Sequence, residues 1–313
     1  RGAIDGHAAL SYGAGTMNTK YAECEIPFAG TRIVLSVWEP AEPEATIIFI
    51  PATMTHPLFY EPLLRGFAER GFAVVGVHPI GHGKSPREVR RYTLRDIVEN
   101  SRDAVTFALE RYPSLSVIVF GSSQGGIVTA ALAAEDRRVA AAFPHNMLLS
   151  ELPESIGISR FPQWLRCIYR PTQGAVRLMA RLRLLPNLSL PLGFYLNPER
   201  ISEDAAIWEN VKRDDLCLSR YSLHFLASLF TTRFPAITDG SLRCPVYVLA
   251  DSGDKLFTAE YTRLVFERLR APYKELVTFH TGGHMLMVTH PDEVCDKLAV
   301  KMREALQRQG DGR

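Results

Sequence analysis

The sequence predicts an α/β fold with a mostly parallel sheet, and three observations carry that prediction. Short β-branched apolar runs recur along the chain, at residues 46–50, 72–77, 116–120 and 245–250. They lack the in–out alternation of a half-exposed strand, which suits strands buried on both faces. Helix-length amphipathic stretches stand between them, and such alternation means parallel neighbours with helices on both sides.

The elements follow in order. Residues 21–28 and 33–38 read as a hairpin turned at Ala29-Gly30. Residues 46–50 (TIIFI) end at Pro51 and are too short for a helix. A helix over 58–70 stops at Gly71, and 72–77 (FAVVGV) is the next buried strand. The stretch 93–112 predicts a long amphipathic helix, with Thr93 as N-cap and Asp96 three residues on. Strands over 116–120 and 139–143 flank an Ala-rich helix. Late in the chain, strands 245–250 and 275–279 precede helices over about 259–270 and 291–307.

From 145 to 240 there is helical character without a convincing buried strand, punctuated by Pro171, Gly174, Pro186, Pro191 and Gly193. This stretch is expected to be a helical lid, or cap, over the carboxyl edge of the sheet, where open α/β folds bind ligands. The core is then 17–144 plus 241–313. Residues 1–16 lack the basic-then-apolar order of a signal peptide. With Arg at position 1 and a methionine at Met17, they are expected to derive from an expression tag or to be disordered.

Composition narrows the function. In 313 residues, 36 basic against 34 acidic side chains give no cationic excess for tracking phosphates, so a nucleic-acid partner is not expected. No apolar run approaches the roughly 18 to 20 residues of a membrane-spanning helix. Five scattered cysteines, none in a C-x-x-C pair, indicate neither a zinc site nor a disulfide framework and suit a cytoplasmic protein.

The chemistry is concentrated at Gly121-Ser122-Ser123-Gln124-Gly125, set between a buried strand and a helix. G-x-S-x-G in that context is a nucleophile elbow: a serine at the apex of a strained turn needs neighbours without Cβ, and the helix aims its positive dipole end at developing negative charge. Ser122 has no glycine frame, so the nucleophile is Ser123. A serine hydroxyl needs a base, and the base an orienting acid, here in the chain order Ser, Asp, His. Asp251 and Asp254 are the candidate acids. Asp254 lies farther into its loop, where it can turn towards a histidine, while Asp251 at the strand edge is expected to tie down the turn. Among His280, His284 and His290, the Gly282-Gly283 pair favours His284, because it permits a sharp loop that can drop the imidazole onto Ser123.

With these residues in view, positions 46–307 resemble the α/β-hydrolase family, and within it the monoacylglycerol lipase and lysophospholipase-like branch of the serine aminopeptidase S33 type. The matching pieces are Gly81-His82-Gly83-Lys84-Ser85, the elbow, the acid loop at 251–257, Gly283-His284, and in the lid Leu185-Pro186-Asn187-Leu188-Ser189-Leu190. The resemblance implies an acyl-enzyme, no metal or organic cofactor, and oxyanion-hole amides from Thr53 and Gln124; fixed donors of that kind are worth roughly 3 kcal/mol each. Three positions depart from the family: Pro51-Ala52 stands where it has His-Gly, and His78 where it has Asp. These bear on the oxyanion loop and on acyl preference, not on the triad.

Met54, His56, His145, Phe161 and Trp164 are assigned to the substrate pocket, with His56 also readable as a loop-stabilising residue. In the lid, Phe161, Trp164, Leu165 and Ile168 recur at helical spacing, and Leu178, Leu182 and Leu185 form a second stripe. Arg160, Arg166, Arg170, Arg177, Arg181 and Arg183 lie among them without an acidic residue. That is how a helix rests on an anionic lipid surface, although both stripes could instead simply pack onto the core with the arginines on the solvated face. The expected function is hydrolysis of a small-molecule, lipophilic acyl ester. An acyltransferase using the same acyl-enzyme, and a hydrolase-like binding protein, are the alternatives.

Overall fold

The computed structural model describes residues 19–88, 91–181 and 188–311. The expected tag at 1–16, Arg183, and the lid leucines at 182 and 185 with their neighbours Pro186 and Asn187 lie outside the described residues.

An eight-stranded sheet forms the centre. Its strands are β1 (Lys20–Phe28), β2 (Thr31–Glu39), β3 (Ala45–Ile50), β4 (Phe72–His78), β5 (Val117–Ser122), β6 (Val139–His145) and, after the lid strands β7 (Ser189–Pro191) and β8 (Arg220–Ser222), β9 (Val246–Asp251) and β10 (Lys274–Phe279). The order across the sheet is β1-β2-β4-β3-β5-β6-β9-β10. β2 runs antiparallel to both neighbours, and the other pairs are parallel. Ala29 and Gly30, both at positive φ, make the β1–β2 turn.

Alternate residues of one strand point to opposite faces, and the core divides accordingly. Ile47 and Phe49 join Val74, Phe120, Phe143 and Leu249 beneath α1 (Glu61–Glu69) and the C-terminal helix. Ile48 and Ile50 join Val75, Val77 and Val119 beneath α2 (Leu94–Arg111) and α3 (Gln124–Glu135). Both faces are covered, which explains the continuous apolar reading of these strands. Thr93 caps α2 in a capping box with Asp96, as its spacing predicts.

Between β6 and β9 the chain forms α4 (Tyr169–Arg181), the single turns α5 (Leu192–Tyr195) and α6 (Pro198–Ile201), α7 (Ala205–Arg213) and α8 (Leu223–Thr231), with β7 and β8 as a separate two-stranded ladder. The remaining helices are α9 (Ala259–Arg268), α10 (Leu286–Thr289) and α11 (Pro291–Asp311). One lid expectation is corrected. Residues Gln163–Ile168 form a 3-10 segment instead of an α-helix, and Phe161, Trp164 and Ile168 are exposed, so this stripe does not pack onto the core. The tighter turn of a 3-10 segment does not keep i, i+4 and i+7 on one face.

Candidate active site

Ser123 joins β5 to α3 with φ 54 and ψ −112, a conformation a residue with a Cβ adopts only when its surroundings impose it. Close backbone packing imposes it here. A Cβ on Gly121 would lie 2.4 Å from the Gly125 carbonyl oxygen, and one on Gly125 would lie 2.1 Å from that of Ile50. The glycine frame is therefore a packing requirement, and it lifts Ser123 to the carboxyl edge of the sheet.

Two loops at the same edge supply an acid and a base. His284 Nδ1 lies 2.8 Å from Asp254 Oδ2 in a buried pair. The other carboxylate oxygen, Oδ1, accepts the Leu256 and Phe257 amides at 2.7 and 2.9 Å. Burial alone would raise the Asp254 carboxyl, but His284 and these hydrogen bonds outweigh it and hold it below the ordinary range. The Phe257 ring stacks on the imidazole at 5.6 Å between centroids. Ser123 Oγ makes no hydrogen bond to any described residue, His284 included. Such bonds are often long in the free enzyme and close only around substrate.

Asp251 does different work. Its Oδ1 accepts the Gly253 and Gly282 amides, and its Oδ2 accepts the Thr281 amide and hydroxyl. It thereby stitches the acid loop to the base loop, with Gly282 at φ +93 making the sharp turn before His284. His280 is exposed and pairs with Ser252, and His290 is exposed beside Thr289.

The loop after β3 carries Thr53 and Met54. Among the described residues, the Thr53 and Gln124 amides donate to no other group, so both are unspent. Met54 stands at φ +64 and is held from the lid: its N–H donates to Tyr221 Oη at 2.7 Å, and its carbonyl accepts the Leu218 amide at 2.8 Å. His82 Nδ1 faces the Ile80 carbonyl at 3.0 Å and so carries the proton; Nε2 then accepts from Tyr221 at 2.6 Å. His78, at the departing position, bridges Ser36 and the Lys84 amide and stacks on His56.

The pocket assignments divide. Met54 and His56 are buried in the loop after β3, and His56 Nε2 binds Asp214 Oδ2 at 2.8 Å. His145 is corrected: its ring is wholly buried and engaged by Ser122 and Asn146, so it presents no wall to a ligand. Trp164 projects outward. Phe161 lines an apolar cavity of about 560 Å³ within the lid, with Tyr169, Val176, Leu190, Phe194 and Phe230. None of the triad candidates lines that cavity. His284 instead borders a cleft of about 190 Å³ between Gly283, Met285 and the lid residues Asp204 and Ile207. Sequence reasoning missed Asn146 and Tyr221. A polar pair ending the apolar strand β6 was the available signal for the first; nothing local marks the second.

One grouping among the described residues has metal-ligand donor types, His56, Asp214 and Cys217, with donor atoms within 4.8 Å of one another. Its members are already bonded to each other. Burial, with Asp214 beside it, pushes the Cys217 thiol up to about 12, so it stays protonated. The set ties residues 214–217 to the loop after β3.

A mostly parallel eight-stranded sheet with a serine elbow at its carboxyl edge is the architecture of an α/β-hydrolase. The chain belongs to the serine aminopeptidase S33 family, whose model matches residues 41–291. A monoacylglycerol lipase of Mycolicibacterium smegmatis is 32% identical over 99 residues; the match covers 31% of this chain and only about a third (35%) of that relative's length. The monoacylglycerol lipase of Paleococcus ferrophilus superposes with a TM-score of 0.67 at 19% identity, over 86% of this chain and 98% of that one. A soluble variant of Saccharomyces cerevisiae monoglyceride lipase, solved with a substrate analogue, gives 0.73 at 14% identity, over 95% and 98%. At these identities the two structures share the fold.

Proposed function

We propose that the protein is a serine hydrolase of carboxylic esters with a lipophilic acyl group. The observation that carries this reading is the buried 2.8 Å His284–Asp254 pair at the same sheet edge as a strained serine elbow. Ser123 Oγ attacks the ester carbonyl while His284 Nε2 takes its proton. The Thr53 and Gln124 amides receive the oxyanion, where preorganised donors act most strongly. His284 then protonates the leaving alcohol, and water, activated by the same imidazole, releases the acid and restores Ser123. Asp254 holds the imidazole tautomer and stabilises its charged form.

The lid supports the lipophilic half of the proposal. Its apolar cavity suits an acyl chain, and its surface exposes Trp164 and Leu178, each at 64%, while Leu188 and Phe194, which line the cavity, are exposed as well. Arg166, Arg170 and Arg181 lie on the same stretch. Apolar side chains beside arginines suit contact with an anionic lipid interface, and we read residues 145–240 as a lid that works there. No helix among the described residues is long and apolar enough to cross a membrane. All five thiols are unpaired, which suits our reading of a cytoplasmic enzyme.

The decisive experiment measures hydrolysis of p-nitrophenyl esters across chain lengths, with stoichiometric fluorophosphonate labelling and Ser123→Ala as control. Labelling and turnover lost together in the variant are expected. Wild-type turnover by Ser123→Ala would sink the proposal.

A further inference from the structure

Asn146 follows β6 and has φ +59, in the left-handed region that asparagine tolerates better than most residues. Its Nδ2 lies 2.7 Å from Asp254 Oδ2, the same oxygen that accepts from His284. It also lies 2.8 Å from His145 Nε2 and 3.1 Å from His284 Nδ1. An ionised carboxylate only accepts, so the amide nitrogen, not its oxygen, must face Asp254. The second amide hydrogen then goes to His145 Nε2, which must be unprotonated. His145 therefore carries its proton on Nδ1 and donates it to Ser122 Oγ at 3.1 Å.

The same dipeptide grips the elbow through its backbone. The His145 carbonyl accepts the Ser123 amide at 2.8 Å, and a Cβ on Gly126 would lie 2.1 Å from that oxygen. Burial, reinforced by the neighbouring His284, pushes His145 down to about 3, so its neutral form and this bonding direction persist across the working range.

We propose that Asn146 is a positioning residue of the triad: its side-chain amide fixes the Asp254 oxygen used by His284 and, through His145, ties the acid to the nucleophile elbow. This rests on the triad reading above. The amide also draws on the carboxylate's charge. Without it, Oδ2 serves the imidazole alone, the charged imidazole is favoured, and activity is lost at a higher pH on acidification. The titratable and charged groups that bear on this site are Asp251 at the end of β9, Asp254 from the loop after it and His145 from β6, with Glu199, Arg200, Glu203, Asp204, Lys255 and His290 lining the cleft that His284 borders.

The test uses Asn146→Gly, since glycine keeps the positive φ and removes only the amide, and the exchange Asn146→Asp with Asp254→Asn. Steady-state kinetics on p-nitrophenyl butyrate across pH are read beside fluorophosphonate labelling of the wild type. Asn146→Gly is expected to lower kcat about 10- to 100-fold, as misplacement of a catalytic group does, with KM within about twofold. The acidic limb should move up by about half a pH unit or more. The exchange should recover at least about tenfold over Asp254→Asn alone, because it returns a carboxylate to within 3.1 Å of His284 Nδ1. Wild-type labelling with unchanged kcat and pH profile in Asn146→Gly overturns the inference alone, and so does an exchange no better than the single variant. A wild type that neither labels nor turns over overturns the triad reading and this inference with it.

Discussion

Tyr221 of the lid accepts the Met54 backbone N–H at 2.7 Å, so a lid side chain holds the loop that carries the candidate oxyanion donor Thr53. The tyrosine is buried, and its own proton goes to His82. The lid and the loop after β3 are thus one hydrogen-bonded unit, not two surfaces in contact. Tyr221→Phe leaves the Met54 amide and His82 Nε2 unpaired and costs about 1–3 kcal/mol of stability. With Met54 released from its strained φ, kcat should fall about tenfold or more and KM change little, because the loop serves the oxyanion rather than the bound ester. Equilibrium unfolding and ester kinetics check both.

Asp251 and Asp254 stand three residues apart with separable duties. Asp254→Ala should lower kcat by about 10³- to 10⁴-fold, since it removes the partner of the imidazole. Both Asp254→Ala and Asp251→Ala should lower Tm by several degrees, because each leaves four donors without their acceptor, but Asp251→Ala should cost far less kcat. A larger kcat loss for Asp251→Ala than for Asp254→Ala would reverse the assignment.

Acid should destabilise the fold through its buried histidines. Burial pushes His145 down to about 3 and His82 down to about 4. An unfolded chain protonates its histidines near 6.5. Between about pH 6.5 and 4 the unfolded state therefore binds protons that the folded state refuses, and stability falls with pH. Each such histidine contributes up to about 1.4 kcal/mol per pH unit. Urea midpoints from pH 7.5 to 4.5 should decline, with about two protons taken up by these histidines on unfolding at pH 5. A flat profile would contradict the buried, neutral histidines.

The outer face of the lid has its own test. Trp164→Asp with Leu178→Asp should abolish flotation with anionic vesicles while leaving hydrolysis of a short, water-soluble ester within about twofold, since neither side chain approaches the triad candidates. Unchanged flotation would assign these residues a different role.

The burial, periodicity and turn chemistry of the core are local properties, which is why strands such as 46–50 and the elbow at 121–125 could be read directly from the order of residues. The glycine frame around Ser123 belongs to that class, because only a missing Cβ lets strand and helix approach so closely. The lid resisted such reading: its residues at 163–168 follow an α-helical spacing yet wind as a 3-10 segment with an exposed apolar face. What only the tertiary structure decided is which polar groups meet. Asn146 reaches Asp254 across 108 positions, and Tyr221 reaches Met54 across 167. A lone polar residue carries no local sign of the partner that will satisfy it, because that partner is chosen by the packing of the sheet and its lid.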